Sequence, residues 1–267
     1  MRALVFSDIH DNLANVEALR RQERNEYDFI IVAGDIGSRI TNDFIKIVDT
    51  FACPAYIVYG NWDYQSSYDP FNSENCKLLN NTIERCGKLF IAGFSGCPVQ
   101  WGNNPIYLKK TYRINKDYHK MMTGQRRFGI QLENTRKYKK IMNDLSRAKV
   151  DVLRTNRRLL FNKIRKNKIP QDRLIIVTHQ RLTKLADNGI RPLLHIFGHI
   201  HEYKLSFFQG TWYLNAAALD NGLSADFGRI NIQPEGYCIV EFNRMSPTVI
   251  RKPRLQVPSA TVSDVLV

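Results

Sequence analysis

The sequence predicts an α/β fold in which parallel strands are buried on both faces. Short, continuously apolar segments alternate with segments whose apolar residues recur every three or four positions. Strands that are apolar throughout are typical of parallel sheets covered by helices, and here each of them stops at a polar residue or a glycine. The composition, 43% apolar and 11% aromatic over 267 residues, excludes a disordered chain.

The N-terminal part carries strands and helices in strict alternation. Its apolar runs predict strands at 2–7, 28–33, 55–59 and 88–94, and its periodic segments predict helices at 13–23 and 43–51. Asn12 is a suitable N-cap for the first helix. A loop rich in Gly, Pro and Asn follows the fourth strand and extends through 105.

The second half begins with a long helical pattern and then returns to strands. Apolar residues at three- and four-residue steps predict helix over 132–168, as one helix or two. Strands are predicted at 174–177 and 193–197, and shorter strands of a second sheet at 204–208, 211–215, 237–242 and 248–250. We therefore expect one domain over 1–250 that contains a basic, largely helical insertion at 101–173, and an extended C-terminal tail at 251–267.

The charge of the chain is concentrated in that insertion. The sequence has 39 Lys/Arg and 25 Asp/Glu, a net charge of +14. Residues 101–173 hold 21 of the basic and 5 of the acidic residues, which leaves the rest of the chain nearly neutral. A concentrated positive field favours an anionic partner, and interleaved tyrosines would suit RNA or DNA. The alternative interpretation is a solvated helix face that only aids solubility.

Cysteine usage and hydropathy bear on the compartment. The five cysteines are odd in number and form no C-x-x-C pair, so a disulfide framework and a thiolate zinc site are disfavoured. No apolar run reaches the roughly 20 residues that span a bilayer, and no signal peptide is evident at the N-terminus. We expect a cytoplasmic protein that does not contact membranes.

Polar side chains with metal-binding chemistry follow the predicted strands. They are Asp8, His10, Asp35, Asn61, His179, His199 and His201. The carboxyl ends of parallel strands meet at one edge of a sheet, so we expect these groups to converge there. Buried carboxylates and imidazoles are costly without a counter-charge, which a metal ion supplies. Imidazole, carboxylate and amide ligands without thiolate suit Mn, Fe, Zn, Ni or Mg.

These residues also carry a family resemblance. Asp8-x-His10, Gly34-Asp35, Gly60-Asn61-x-Asp63, His179 and Gly198-His199-x-His201 occur in the order of the motifs of calcineurin-like metallophosphoesterases. The resemblance covers residues 4 to about 242. It implies a four-layer αββα sandwich, with two mixed β-sheets flanked by helices. It also implies two divalent metal ions per chain, most commonly Mn. One would be held by Asp8, His10 and His201, the other by Asn61, His179 and His199, with Asp35 bridging them.

The resemblance further implies phosphoester hydrolysis by in-line attack of a hydroxide that bridges two cations about 3.5–4 Å apart. Asp35, Asn61, His179 and Asp63 are the predicted catalytic residues, with Asp63 acting by orienting a histidine or a loop. Asn61, Trp62 and Arg181 are the predicted substrate contacts.

One departure from the family pattern bears on the substrate. Many members have a histidine after the motif asparagine, thought to protonate the leaving group. Trp62 stands there instead, and an indole cannot donate an acidic proton at useful pH. This favours phosphodiesters, including nucleotides or nucleic acids, over alkyl monoesters. Two alternatives stay open: a catalytically weak binding protein that keeps the fold, and a nucleic-acid-binding module that uses the basic insertion.

Overall fold

The computed structural model describes residues 1–96, 102–128, 135–216, 218–220, 236–243 and 246–252. The first half forms β1 (Arg2–Phe6), α1 (Leu13–Gln22), β2 (Phe29–Val32), α2 (Thr41–Asp49), β3 (Ala55–Ile57), β4 (Cys76–Leu78), β5 (Thr82–Cys86) and β6 (Leu89–Gly93). The second half forms α3 (Pro105–Phe128), α4 (Arg136–Lys166), β7 (Leu174–Val177), β8 (Leu194–Phe197), β9 (Lys204–Phe208), β10 (Thr211–Asn215), β11 (Tyr237–Phe242) and β12 (Pro247–Lys252).

The strands form two six-stranded mixed sheets. The first has the order β12-β11-β1-β2-β3-β4 and the second the order β5-β6-β7-β8-β10-β9. Strands β1 to β4 are mutually parallel, as are β6, β7, β8 and β10, while the remaining strands pair antiparallel at the edges. This confirms the predicted sandwich of two mixed sheets flanked by helices.

The alternation of side chains along each buried strand creates the four layers. In β1, Leu4 and Phe6 join the apolar cluster that lies against α1 and α2, whereas Ala3 and Val5 join the cluster between the sheets. On the second sheet, the outward residues of β7 pack with the C-terminal half of α4. Because both faces of the central strands are covered, these strands are apolar at every position.

The last four strands do not form a sheet of their own, which corrects the prediction for them. Strands β9 and β10 extend the sheet of β7 and β8, whereas β11 and β12 extend the sheet of β1. Leu4 is paired with Ile239 across this junction. Pairing between strands so distant in sequence depends on which apolar faces meet, and hydropathy along the chain does not specify that.

The basic segment contains two helices where one long periodic pattern was recognised. Helix α4 begins at Arg136. The sequence pattern does not predict α3, because few of the described side chains of α3 are buried. The sequence pattern also does not predict β4 and β5, because few of the side chains of these half-exposed strands are buried.

Residues 251–252 of the predicted tail belong to β12, and 253–267 lie outside the described residues. None of the helices in the described ranges is both long and apolar enough to cross a membrane.

Candidate metal centre

The predicted donors come from loops that follow five different strands. Asp8, Asp35 and Asn61 follow β1, β2 and β3 of the first sheet. His179 follows β7, and the segment 199–201 follows β8, both of the second sheet. The donors therefore meet between two sheets rather than at the edge of one, which corrects the expected single-sheet geometry.

The donors form two groups that could each hold a metal ion. One consists of Asp8, His10 and His201, and the other of Asp35, His179 and His199. Within each group the ligand atoms lie within 4.8 Å of one another. Four of these six residues are buried, and His199 and His201 are partly exposed. One side of the cluster is therefore open to an incoming ligand.

Asp35 lies between the two groups. Its Oδ2 is 3.2 Å from His10 Nε2 and 3.2 Å from His179 Nε2, which belong to different groups. Its Oδ1 accepts a hydrogen bond from the backbone N–H of Trp62 at 2.8 Å. This is the position that a bridging carboxylate requires.

The hydrogen bond at Nδ1 of His179 leaves its Nε2 as the nitrogen that could bind a cation. Its Nδ1 lies 2.8 Å from the carbonyl oxygen of Ala33, which can only accept, so Nδ1 carries the proton. In the neutral ring Nε2 then presents a lone pair, and it lies 3.2 Å from Asn61 Oδ1 and 3.2 Å from Asp35 Oδ2. Lone pairs of three acceptors converge there. The edges of an octahedral ligand shell with bonds of 2.0–2.1 Å are about 3 Å long, so this spacing fits a small divalent cation.

His10 is oriented in the same way by a residue that the sequence analysis missed. Its Nδ1 is hydrogen-bonded to the buried carboxylate of Asp220, so its Nε2 faces Asp35. Carboxylates behind metal-binding histidines commonly fix the ring in this manner. Asp220 lies five residues after the end of β10, and its place is set by backbone hydrogen bonds from the N–H of Leu219 to the oxygen of Ser7 and from the N–H of Asp220 to the oxygen of Asp8. No local signal in the sequence identifies it.

The remaining donors complete both groups. Asn61 Oδ1 is 3.1 Å from His199 Nδ1, and His201 Nε2 is 3.4 Å from Asp8 Oδ1. The backbone N–H of His199 donates to the carboxylate of Asp8 at 3.0 Å, which links the ends of β1 and β8. Ser7 Oγ lies 2.6 Å from the same carboxylate. Asn61 thus lies with the group of His179 and His199.

The pKa values in the site reflect this concentration of charge. Burial lowers the pKa of His10, but the hydrogen bonds to Asp220 and Asp35 outweigh it and raise the pKa to about 10. Burial also acts to lower the pKa of His179, but Asp35 and Asp8 outweigh it and raise the pKa to about 9. Burial acts to raise the pKa of Asp35, but His179 and His10 hold it well below its usual range. In the metal-free protein these imidazoles carry the protons that a cation would replace.

The loops that present the donors are strained and tightly packed. Asp8, His10, Asp35, His199 and His201 adopt φ values between 51° and 73°, a left-handed conformation that few non-glycine residues adopt. Such strain persists where the surroundings fix it, and it is common at functional sites. A Cβ at Gly60 would lie 2.1 Å from Asp35 Oδ1, so only glycine permits this approach.

Asp63 holds two of these loops together. Its buried carboxylate accepts hydrogen bonds from the backbone N–H groups of Gly37 and Gly60, both at 2.7 Å. Burial, and secondly the charge of Asp35, raises the pKa of Asp63 to about 6. Asp63 therefore orients the loops that carry Asp35 and Asn61, and it contacts no histidine through its hydrogen bonds.

The two other predicted substrate contacts differ in position. The ring of Trp62 packs against the ring of His10, with centroids 4.7 Å apart, at the partly exposed side of the site. The exposed Arg181 lies over the ring of Tyr213, 4.6 Å from its centroid. Trp62 is thus at the site, whereas Arg181 is engaged by an aromatic ring of β10 in this conformation.

Comparison with known proteins agrees with the fold. Residues 1–203 match the family model described as calcineurin-like phosphoesterase. No match was found among curated proteins. Among solved structures, the protein TT1561 of Thermus thermophilus is 12% identical, with a TM-score of 0.53, and the alignment covers 94% of this chain and 98% of that one. The sulfate thiohydrolase SoxB of Thermus thermophilus is also 12% identical, with a TM-score of 0.51 and coverage of 96% and 57%. At this identity the likeness shows the fold alone.

Proposed function

The chain belongs to the calcineurin-like phosphoesterase family, and on that premise we propose that it hydrolyses phosphoester bonds with two divalent cations. The observation that carries the proposal is the position of Asp35. Its Oδ2 lies 3.2 Å from a histidine nitrogen of each donor group, so one carboxylate serves both groups. When bound, two such cations lower the pKa of a water and neutralise the charge of the phosphate.

The protein's own residues hold the donors in place and limit the negative charge near the phosphate. Asp8, His10 and His201 would hold one cation, and Asn61, His179 and His199 the other. Asn61 contributes a neutral oxygen, which does not repel an anionic substrate as a second carboxylate would. His179 and His10 donate hydrogen bonds through Nδ1 to the carbonyl oxygen of Ala33 and the carboxylate of Asp220, which fixes both rings, so the donors require little rearrangement when a cation binds.

We further propose that phosphodiesters are the preferred substrates. Trp62 occupies the position after Asn61, and its ring packs against His10, so no acidic proton is offered to a leaving group there. A leaving group that is already acidic, such as the phenolate of an aryl diester, departs without protonation, whereas the alkoxide of an alkyl monoester needs a proton. Mn²⁺ is the first cation to test, because the donor set combines imidazole with carboxylate and amide oxygen.

The activity is tested by hydrolysis of bis-p-nitrophenyl phosphate in the presence of Mn²⁺. Asp35→Asn should reduce kcat/KM by at least about a hundredfold, since it removes the charge shared by both groups. Asp187→Asn, at an exposed position that belongs to neither donor group, is the matched control and should retain full activity. Absence of turnover in protein that contains two metal ions per chain would contradict the proposal and favour a binding protein.

The diester preference is tested separately by comparing kcat/KM for an alkyl phosphate monoester and for the corresponding diester. We expect the wild-type protein to favour the diester, and Trp62→His to raise activity on the monoester by restoring an imidazole. Equal efficiency on both substrates in the wild-type protein would refute the preference without affecting the proposed hydrolysis.

A further inference from the structure

The helices α3 and α4 form a strongly basic hairpin that the metal centre does not use. Together they carry 19 Lys/Arg and 3 Asp/Glu. Among their described residues a single ion pair occurs, from Arg154 Nη1 to Asp151 Oδ1 at 3.9 Å. Most of the cations whose side chains are described therefore have no carboxylate partner among the described residues and are available to an external anion.

The hairpin begins beside the metal centre. Strand β6 is parallel to β7 and ends at the same edge of the sheet, where His179 follows β7. Just before α3, the side chain of Asn103 donates to the carbonyl oxygen of Gln65 at 2.9 Å, and that of Asn104 donates to the carbonyl oxygen of Ser95 at 3.2 Å. Gln65 belongs to the loop that carries Asn61. The start of α3 is thus connected to the loop of a predicted ligand.

Much of the hairpin projects beyond the sheets. The residues of α4 that pack on the second sheet begin at Val152. Of the α3 residues whose side chains are described, Ile106 and Tyr107 alone join that apolar cluster. Residues 136–149 of α4 therefore extend about 20 Å past this packing, at a rise of 1.5 Å per residue. They are covered on one side by α3.

The cations of α4 follow a regular spacing along one face. Five exposed basic residues are separated by four or seven positions, which places them on the same side of a helix. They are Arg136, Lys140, Arg147, Arg154 and Arg158. The row is about 33 Å long, and Lys110 of α3 lines a depression together with Arg154 and Arg158. Two carboxylates, Asp144 and Asp151, lie beside the row, so its net charge stays positive.

An exposed aromatic residue accompanies the cations of α3. Tyr112 is 70% exposed, and Lys109 and Lys116 lie three positions before it and four after it on the same face. Cations that contact phosphates, together with aromatic rings that stack on bases, are typical of surfaces that bind single-stranded nucleic acid.

We propose that the exposed basic surface of the α3–α4 hairpin, which includes the row on α4 and a second side of α3 around Tyr112, binds single-stranded nucleic acid through its phosphate backbone. This inference does not depend on hydrolysis, because none of the cations named belongs to the metal centre. It differs from a solvated helix face, which would show no preference among anions.

The test measures fluorescence polarisation of a labelled oligouridylate of about 20 nucleotides with the full-length protein, in EDTA and in Mn²⁺. If five phosphates are contacted, the logarithm of the affinity falls with the logarithm of the salt concentration with a slope of about −3.5. This corresponds to a loss of about a hundredfold between about 50 and 200 mM salt. Absent or salt-independent binding would overturn the proposal.

Two charge-reversal variants locate the surface. Arg147→Glu, Arg154→Glu and Arg158→Glu combined should abolish binding at about 200 mM salt and reduce the slope by about 2. Arg24→Glu, Lys88→Glu and Lys204→Glu combined change the net charge equally at exposed positions elsewhere and should leave binding within about twofold. Equal losses in both would show an effect of net charge alone and refute the surface. Replacement of the same three arginines by Gln provides a milder variant should the reversal impair folding.

Further arms test the kind of ligand. Tyr112→Ala should weaken binding to the single strand about tenfold and leave binding to a duplex unchanged. Tighter binding to a duplex, or to phosphatidylserine vesicles, would overturn the assignment to a single strand. Binding in EDTA requires neither a cation nor hydrolysis, so a failed hydrolysis assay and a failed binding assay remain distinguishable.

Discussion

The substitution Gly60→Ala tests whether close packing around the donors creates the metal centre. A Cβ at this position would lie 2.1 Å from Asp35 Oδ1 and 2.7 Å from His179 Cδ2. Contacts below 3.0 Å essentially never occur for a Cβ atom, so the Asp35 carboxylate must move by about 1 Å. That movement breaks the hydrogen bond from the Trp62 N–H and displaces the carboxylate from its place between His10 and His179.

The expected magnitude follows from these contacts. Adding a methyl group to a closely packed interior costs about 1–3 kcal/mol of unfolding free energy. A displacement of about 1 Å at a reacting centre can reduce the rate by about a hundredfold. We therefore expect Gly60→Ala to fold, to bind Mn²⁺ more weakly, and to lose about two orders of magnitude in kcat/KM.

Gly189→Ala is the matched control. Its φ of 70° is left-handed, but a Cβ there would meet nothing within 4 Å. Alanine in that conformation costs about 1–2 kcal/mol, so its stability loss resembles that of Gly60→Ala without any contact to the site. Mn²⁺ titration calorimetry, thermal unfolding and phosphodiester hydrolysis are compared for both. Wild-type Mn²⁺ affinity and turnover in Gly60→Ala would refute the reasoning.

The remaining predictions concern the supporting residues and pH. Asp220→Asn should weaken Mn²⁺ binding by about 10–100-fold, since it removes the carboxylate that fixes His10, and calorimetry that shows unchanged affinity would contradict this. Because the pKa values of His10 and His179 are raised to about 10 and about 9, cation binding should release protons near pH 7 and strengthen by up to about tenfold per pH unit per proton displaced. Calorimetry in buffers of different ionisation enthalpy counts the protons released. A count of zero would show that the imidazoles are not protonated before the cation binds. Burial lowers the pKa of His195 to about 3, below its unfolded value of about 6.5, so acidification from about pH 6.5 to 5 should cost about 2 kcal/mol. Urea unfolding of His195→Leu should lack this loss, and an identical pH dependence in both proteins would refute the assignment.

Much of the site could be predicted because its donors obey a local rule. Asp8, Asp35 and His179 each follow a short apolar strand, and parallel strands bring their carboxyl ends to one side. Three-dimensional features were harder to predict. Asp220 belongs to no motif of the sequence analysis. The division of donors between two sheets depends on which strands pair, β1 with β2 and β3 in one sheet and β7 with β8 in the other.

The helical insertion shows a second limit of sequence patterns. Helix α4 was recognised because its C-terminal half packs on a sheet and needs a wide apolar stripe. Helix α3 packs mainly against α4, and of its residues with described side chains only Thr111 and Met121 are buried. An apolar face formed by so few residues cannot be recognised in the sequence among the many basic residues of α3.

The central claim is that two groups of side chains bind two divalent cations around Asp35. The most direct measurement is an anomalous difference map from crystals of the full-length protein grown with Mn²⁺. Two peaks are predicted, one bonded to Asp8, His10 and His201 and the other to Asn61, His179 and His199, with Asp35 contacting both at about 2.0–2.3 Å. A single peak, or peaks that leave Asp35 without a cation, would contradict the account.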